Sequence, residues 1–161
     1  MSPKITIVLD NVRSGWNVGS IMRTCDALGA DLILVGYTPL PVGKSLVVIK
    51  KTAIGAEETV NWSSFSHFQE VLENFPTANH LAIEINQSSQ NLFNYDQQIK
   101  SLEGQIFLWF GNEIHGLPDE FCSIAKAVLH LPMNGTKESL NVSSTVCAVG
   151  YLIRYYLTCS L

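Results

Sequence analysis

Apolar, β-branched runs recur along the chain, and helix-patterned or loop segments separate them. They are KITIVL (residues 4–9), DLILVG (31–36), HLAIEI (80–85), QIFLWF (105–110) and AVLHLPM (127–133). QIFLWF is apolar at almost every position, which is the pattern of a strand buried on both faces of a parallel sheet. Strands alternating with helices satisfy their hydrophobic faces in an α/β fold, a mostly parallel sheet flanked by helices. A further strand is expected near 58–62 and a helix near 64–75. The segment 45–55 reads equally as a short helix or an extended piece. Residues 86–98 are rich in Asn, Gln and Ser and read as an exposed connection, with one short ordered piece around 92–95.

The helical segments carry recognisable ends. NVGSIMRTCDALGA opens with Asn17, a good cap, and closes at Gly29. Val18, Ile21, Cys25 and Leu28 share one face of it, and Arg23 lies about 140° from Val18, away from that stripe. Pro118 starts a short helix to about 124. Asn141 caps a final helix running to about Thr158, whose apolar residues cover more than one stripe. Such a helix requires two partners.

The chain has 161 residues, 47% apolar and 15% charged, richer in apolar side chains than a solvated monomer needs. Part of that surface is expected to be a subunit interface. The longest apolar stretch, near the C-terminus, is interrupted by Arg154, and the N-terminus lacks the regions of a signal peptide, so a cytoplasmic protein is expected. Cys25, Cys122, Cys147 and Cys159 show no short paired spacing, which points to buried reduced thiols and no metal site. The formal charge is −4, yet residues 1–51 hold six of the ten basic side chains against three acids. That third is either a basic surface for nucleic acid or an uneven charge distribution without function.

In an open α/β sheet, ligands bind beyond the carboxyl ends of the strands, here at residues 11–16, 111–117 and 132–140. No G-x-G-x-x-G follows the first strand, and neither a phosphate-binding loop nor a nucleophile elbow is present. Three segments carry unusual residues at those places instead: NVGSIMRT, FGNEIHGLP and LPMNGTKESLNVSSTVCAVGYLIRYY.

In this order and spacing the three segments resemble the motifs of the SpoU/TrmH-type branch of the SPOUT methyltransferases, over essentially the whole chain. The resemblance implies an RNA 2′-O-ribose methyltransferase that uses S-adenosylmethionine. It also implies one SPOUT domain over residues 1–161, a trefoil knot in about residues 81–161, and a homodimer in which each site is completed by the partner subunit. Arg23 matches the family's catalytic arginine. A guanidinium stays protonated, so its chemically reasonable role is to bind a phosphate and steady the developing alkoxide. Asn17 matches the motif asparagine, Glu113 is the acid that fixes Arg23 or the substrate ribose, and Ser139 and Asn141 precede the last helix. The cofactor positions implied are Ile83, Gly111, Leu131, Met133, Ser139 and Leu140, mostly through main-chain groups. Gly116 permits a tight loop, and His115 falls where the family pattern varies. The RNA is expected to be tRNA in preference to rRNA. Two rivals stand beside this reading: an inactive RNA-binding or ribosome-assembly factor, and a base methyltransferase or nucleotide-binding hydrolase on the same kind of sheet.

Overall fold

The computed structural model describes residues 3–158. In chain order the elements are β1 (Ile5–Asp10), α1 (Gly15–Leu28), β2 (Asp31–Val35), α2 (Gly43–Ala53), α3 (Ala56–Thr59), β3 (Trp62–Phe65), α4 (Phe68–Asn74) and β4 (Asn79–Ile83). There follow β5 (Gln90–Asn91), a 3-10 turn (Leu92–Asn94), α5 (Asp96–Lys100), β6 (Ile106–Phe110), α6 (Asp119–Ile124), β7 (Ala127–His130) and α7 (Val142–Thr158). The strands form one seven-stranded sheet in the order β3-β2-β1-β6-β4-β7-β5, and all their pairings are parallel. The chain is thus an α/β sheet flanked by helices, as its alternating pattern predicts. Strand order reverses between β1 and β6, which places a topological switch point there.

The two faces of the sheet bury different side chains because successive strand residues point to opposite sides. Ile5, Ile7 and Leu9 of β1, with Ile106, Leu108 and Phe110 of β6, pack under α1, α2, α5 and α7. Val8, Phe107 and Trp109 pack on the other face with Phe68 and Val71 of α4 and Phe121 of α6. On that second face the Trp109 and Phe121 rings lie 4.3 Å apart, and Trp109 Nε1 donates to His80 Nδ1 at 3.1 Å. His80 Nε2 in turn donates to the Phe75 carbonyl at 2.9 Å, which fixes a neutral tautomer. Burial pushes the His80 pKa down, against the Phe75 hydrogen bond, which raises it.

Several boundaries differ from the sequence expectations. α1 is capped by Ser14, whose hydroxyl accepts from the Asn17 N–H, so Asn17 is the third residue of the helix and not its cap. Segment 45–55 is helical as far as Ala53. The strand expected near 58–62 lies at β3 instead, because Ile54 and Gly55 adopt left-handed conformations that end α2 and start the α3 turn. β7 stops at His130, ahead of Pro132, which has no N–H for a sheet ladder. Asn141 does cap α7, accepting from the Ser143 N–H at 2.8 Å. Against the expectation of buried thiols, among the described residues only Cys25 is buried; Cys122 is half-buried and Cys147 is exposed on α7, while Cys159 lies outside the described residues. Burial, with Asp31 nearby, pushes the Cys25 thiol up to about 12. No helix among the described residues is long and apolar enough to cross a membrane.

Candidate active site

Three strand ends shape one cleft of about 850 Å³. β4 contributes Ile83 and Glu84, the β6 loop contributes Gly111 to Gly116, and the segment after β7 contributes Leu131, Met133, Ser139, Leu140 and Asn141. All six positions expected to hold the cofactor therefore line one space, together with Glu113, His115 and Asn141.

The loop after β6 is a tight hairpin in which Asn112 and Gly116 exchange backbone hydrogen bonds of 3.2 and 2.9 Å. Gly111 is needed for it, since a Cβ there would lie 2.2 Å from the Gly116 carbonyl carbon. The Asn112 side chain is buried and holds the hairpin from within. Its Oδ1 accepts from the N–H groups of Ile114 (2.8 Å) and His115 (3.0 Å), and its Nδ2 donates to the Asn11 carbonyl and the Tyr37 hydroxyl, each at 2.8 Å. Glu84 ties β4 to the same loop, with one carboxylate oxygen accepting from Leu117 N–H at 2.8 Å and the other from Ile85 N–H at 2.9 Å.

Glu113 joins this hairpin to the start of α1. Its carboxylate accepts from the backbone N–H groups of Arg13 (3.0 Å) and Ser14 (3.4 Å) and from Asn17 Nδ2 (3.1 Å). Partial burial pushes the Glu113 pKa up, but these donors outweigh it and hold the carboxyl below its usual value. Asn17 Oδ1 then accepts from Asn141 Nδ2 at 3.3 Å, at the entrance to α7. One chain of hydrogen bonds thus links residues from all three unusual segments. Glu113 makes these bonds to the loop ahead of α1 and to Asn17, and none to Arg23.

Arg23 itself is exposed and lines a different, shallow cavity of about 410 Å³, shared with Lys51, Ile54, Cys147 and Tyr151. It lies six residues beyond Asn17, or about 9 Å along the α1 axis. Sequence reasoning missed Glu84, Asn112 and Tyr37. Glu84 had a usable signal, an acid at the end of an apolar strand. Asn112 lay hidden beside the acid of its own motif, and Tyr37 carried no signal at all.

The family model of the SpoU rRNA methylases matches residues 4–151. The chain belongs to that family. Among curated SpoU relatives it is 30% identical to the 23S rRNA (guanosine-2′-O-)-methyltransferase of Pseudomonas putida, over 88% of this chain and 55% of the relative. It is 24% identical to the tRNA (guanosine(18)-2′-O)-methyltransferase of Thermus thermophilus, over 91% of this chain and 72% of the relative. The chain spans about half the length of the 23S rRNA enzymes it matches. A solved structure from work on the 2-OH methylation of C/U34 on tRNA superposes with a TM-score of 0.83 at 28% identity, covering 98% of this chain and 99% of that one. The AdoMet-bound rRNA methyltransferase of Sinorhizobium meliloti shares the fold, with a TM-score of 0.82 at 24% identity over 98% of this chain and 58% of that one.

Proposed function

We propose that this SpoU-family chain transfers a methyl group from S-adenosylmethionine to a ribose 2′-hydroxyl of RNA in the cytoplasm, with tRNA as the substrate. The observation that carries the reading is the convergence of the second and third motif segments on one cleft, to which the first is stapled by the Glu113–Asn17–Asn141 hydrogen bonds. The cleft suits this cofactor. Its volume falls in the usual range for small-molecule sites. Its lining pairs the apolar surfaces of Ile83, Leu131, Met133 and Leu140 with the carboxylates of Glu84, Glu113 and Glu138, appropriate to an adenosine carrying a cationic tail. When bound, the cofactor supplies an activated methyl on a sulfonium.

The protein's share of the reaction is alignment and charge. Positioning alone is worth roughly 7–11 kcal/mol of barrier, so no acid–base pair is needed. Arg23 stays protonated, holds a substrate phosphate and steadies the 2′-oxygen as its proton passes to that phosphate or to water. Because Arg23 stands outside the cleft of its own chain, it serves the cleft of a second copy. The outward residues Tyr151 and Tyr155 of α7, 50% and 59% exposed, support such a homodimer, and Arg23 lines the same cavity as Tyr151. The proposal extends to one domain over residues 1–161 with a trefoil knot in about 81–161. The position of β4 between β6 and β7, two strands that follow it in sequence, supports that threading.

The test is transfer of labelled methyl from S-adenosylmethionine to bulk tRNA and bulk rRNA, followed by alkaline digestion. An alkali-resistant dinucleotide from tRNA is expected. Absence of transfer to either RNA refutes the reading, and an alkali-labile product assigns base methylation instead. Arg23→Ala should abolish transfer and leave the affinity for S-adenosylhomocysteine intact.

A further inference from the structure

Tyr37 is 60% exposed, yet the backbone and hydroxyl that carry its ring are held in place from several sides. Its Oη accepts from Asn112 Nδ2 at 2.8 Å and its N–H donates to Asn11 Oδ1 at 3.1 Å. The next residue, Thr38, is buried. Its hydroxyl lies 2.8 Å from the Val35 carbonyl and 3.2 Å from that of Leu9, and accepts from Val12 N–H at 3.1 Å. Gly36 turns the chain at φ +66°, where a Cβ would strike the Asn11 amide. An aromatic side chain is thereby presented to solvent with little conformational freedom left to lose on binding.

One basic residue lies close by along the chain. Asn112 Nδ2 bonds both Tyr37 Oη and the Asn11 carbonyl, so Tyr37 sits beside the loop that leads two residues later to Arg13. The Arg13 backbone is clamped by Glu113 at the cleft lip, while its side chain is exposed and takes part in no ion pair among the described residues. A rigid aromatic surface next to an unpaired guanidinium is the combination that binds single-stranded nucleic acid, since every base has a face that stacks and every nucleotide a phosphate.

We propose that Tyr37 is a stacking platform for an unpaired base of the RNA, with Arg13 on an adjacent phosphate, positioning the target ribose at the cleft. This rests on the RNA-methylation reading, and the experiment separates the two. Binding of bulk tRNA, KM for tRNA in labelled methyl transfer, and the affinity for S-adenosylhomocysteine are measured for wild type, Y37L, Y37F and R13Q. Loss of a stacked base lowers affinity by roughly 5- to 150-fold, the effect expected for Y37L in both RNA readouts. Y37F keeps the ring face but loses the hydroxyl bond to Asn112, so it is expected to weaken RNA binding far less than Y37L, R13Q to weaken it with a shallower salt dependence, and all three to bind S-adenosylhomocysteine as wild type does.

Wild-type RNA affinity in Y37L overturns the platform. Equal damage from Y37F and Y37L also overturns it, because the hydroxyl bond to Asn112 would then be the cause. If wild type binds tRNA and Y37L weakens that binding while no methyl is transferred, the platform stands and the methylation reading falls. Failure of wild type to bind any RNA removes both.

Discussion

Replacing Asn112 tests whether one buried amide holds the candidate site together. Its side chain makes four hydrogen bonds of 2.8–3.0 Å from a residue that is 6% exposed, and they reach three segments, the β6 hairpin, the end of β1 and the turn after β2. At about 1 kcal/mol net for each bond, Asn112→Ala should cost about 3–5 kcal/mol. That is a large part of the 5–15 kcal/mol typical of a domain, so the variant sits near its folding limit. Asn112→Asp is the sharper probe. It keeps both acceptances from Ile114 and His115, and the Tyr37 hydroxyl can turn its hydrogen toward the new oxygen. The Asn11 carbonyl cannot adapt and is left facing a buried carboxylate, at a cost of about 2–3 kcal/mol near neutral pH. Near-complete burial beside the Asn11 carbonyl raises the folded-state pKa of the introduced carboxyl above the unfolded value of about 3.9, against the donors Ile114 N–H, His115 N–H and the Tyr37 hydroxyl, which lower it. The deficit relative to wild type should therefore be smallest below about pH 4, where the acid is protonated and can donate to Asn11, and should grow as pH rises through the folded pKa. Urea denaturation of both proteins across this pH range measures it. A deficit independent of pH, or an Asn112→Ala cost under about 1 kcal/mol, would refute the argument.

Further outcomes follow from the same geometry. Gly111→Ala forces a Cβ to within 2.2 Å of the Gly116 backbone, so it should lose about 1–3 kcal/mol of stability and most affinity for S-adenosylhomocysteine, read by urea melts and calorimetry. His80 has a folded pKa below its unfolded value, so the unfolded chain takes up a proton that the folded one refuses, and stability falls as pH drops below about 6.5 by at most about 1.4 kcal/mol per unit. His80→Gln should flatten that slope; an unchanged slope assigns it to other groups. Mixing Arg23→Ala with Gly111→Ala should restore transfer that neither variant shows alone, because a mixed dimer pairs one intact cleft with one intact arginine. No recovery in dimers shown to exchange subunits would place Arg23 in the cleft of its own chain.

The parts of the fold that were readable in sequence are those set by local pattern. The IFLWF of QIFLWF became a fully buried central strand, and Val18, Ile21, Cys25 and Leu28 became the buried face of α1. The parts that were not readable are those decided by distant partners. Ser14 and Asn17 are equally good caps on local grounds. What distinguishes them is that the Asn17 amide bonds Glu113, a residue 96 positions away, and Ser14 caps. The α3 turn displaced the expected strand because Ile54 takes a left-handed conformation, which a β-branched residue rarely does and no propensity would foretell. Arg23 was legible as a residue off the buried stripe, and the structure keeps it exposed. Its separation from the cleft was not legible, since that depends on how α1 lies across the sheet.

Asn112 also accounts for the place where the cleft opens. A doubly wound sheet has its natural crevice where strand order reverses, here between β1 and β6. In this chain the Asn112 amide bonds across that crevice to the Asn11 carbonyl, and Glu113 closes it further by holding Arg13 and Ser14. Space for a ligand remains on the other side of β6, above β4 and β7, where the cleft is found. The absence of a glycine-rich phosphate loop after β1 has the same origin, because that position is occupied by a clamp instead of a ligand. Under the proposed function the carboxyl edge of the sheet is then divided at the clamp. The donor lies over β4 and β7 and the acceptor's base over β1 and β2, so the ribose between them has to lie beside Glu113.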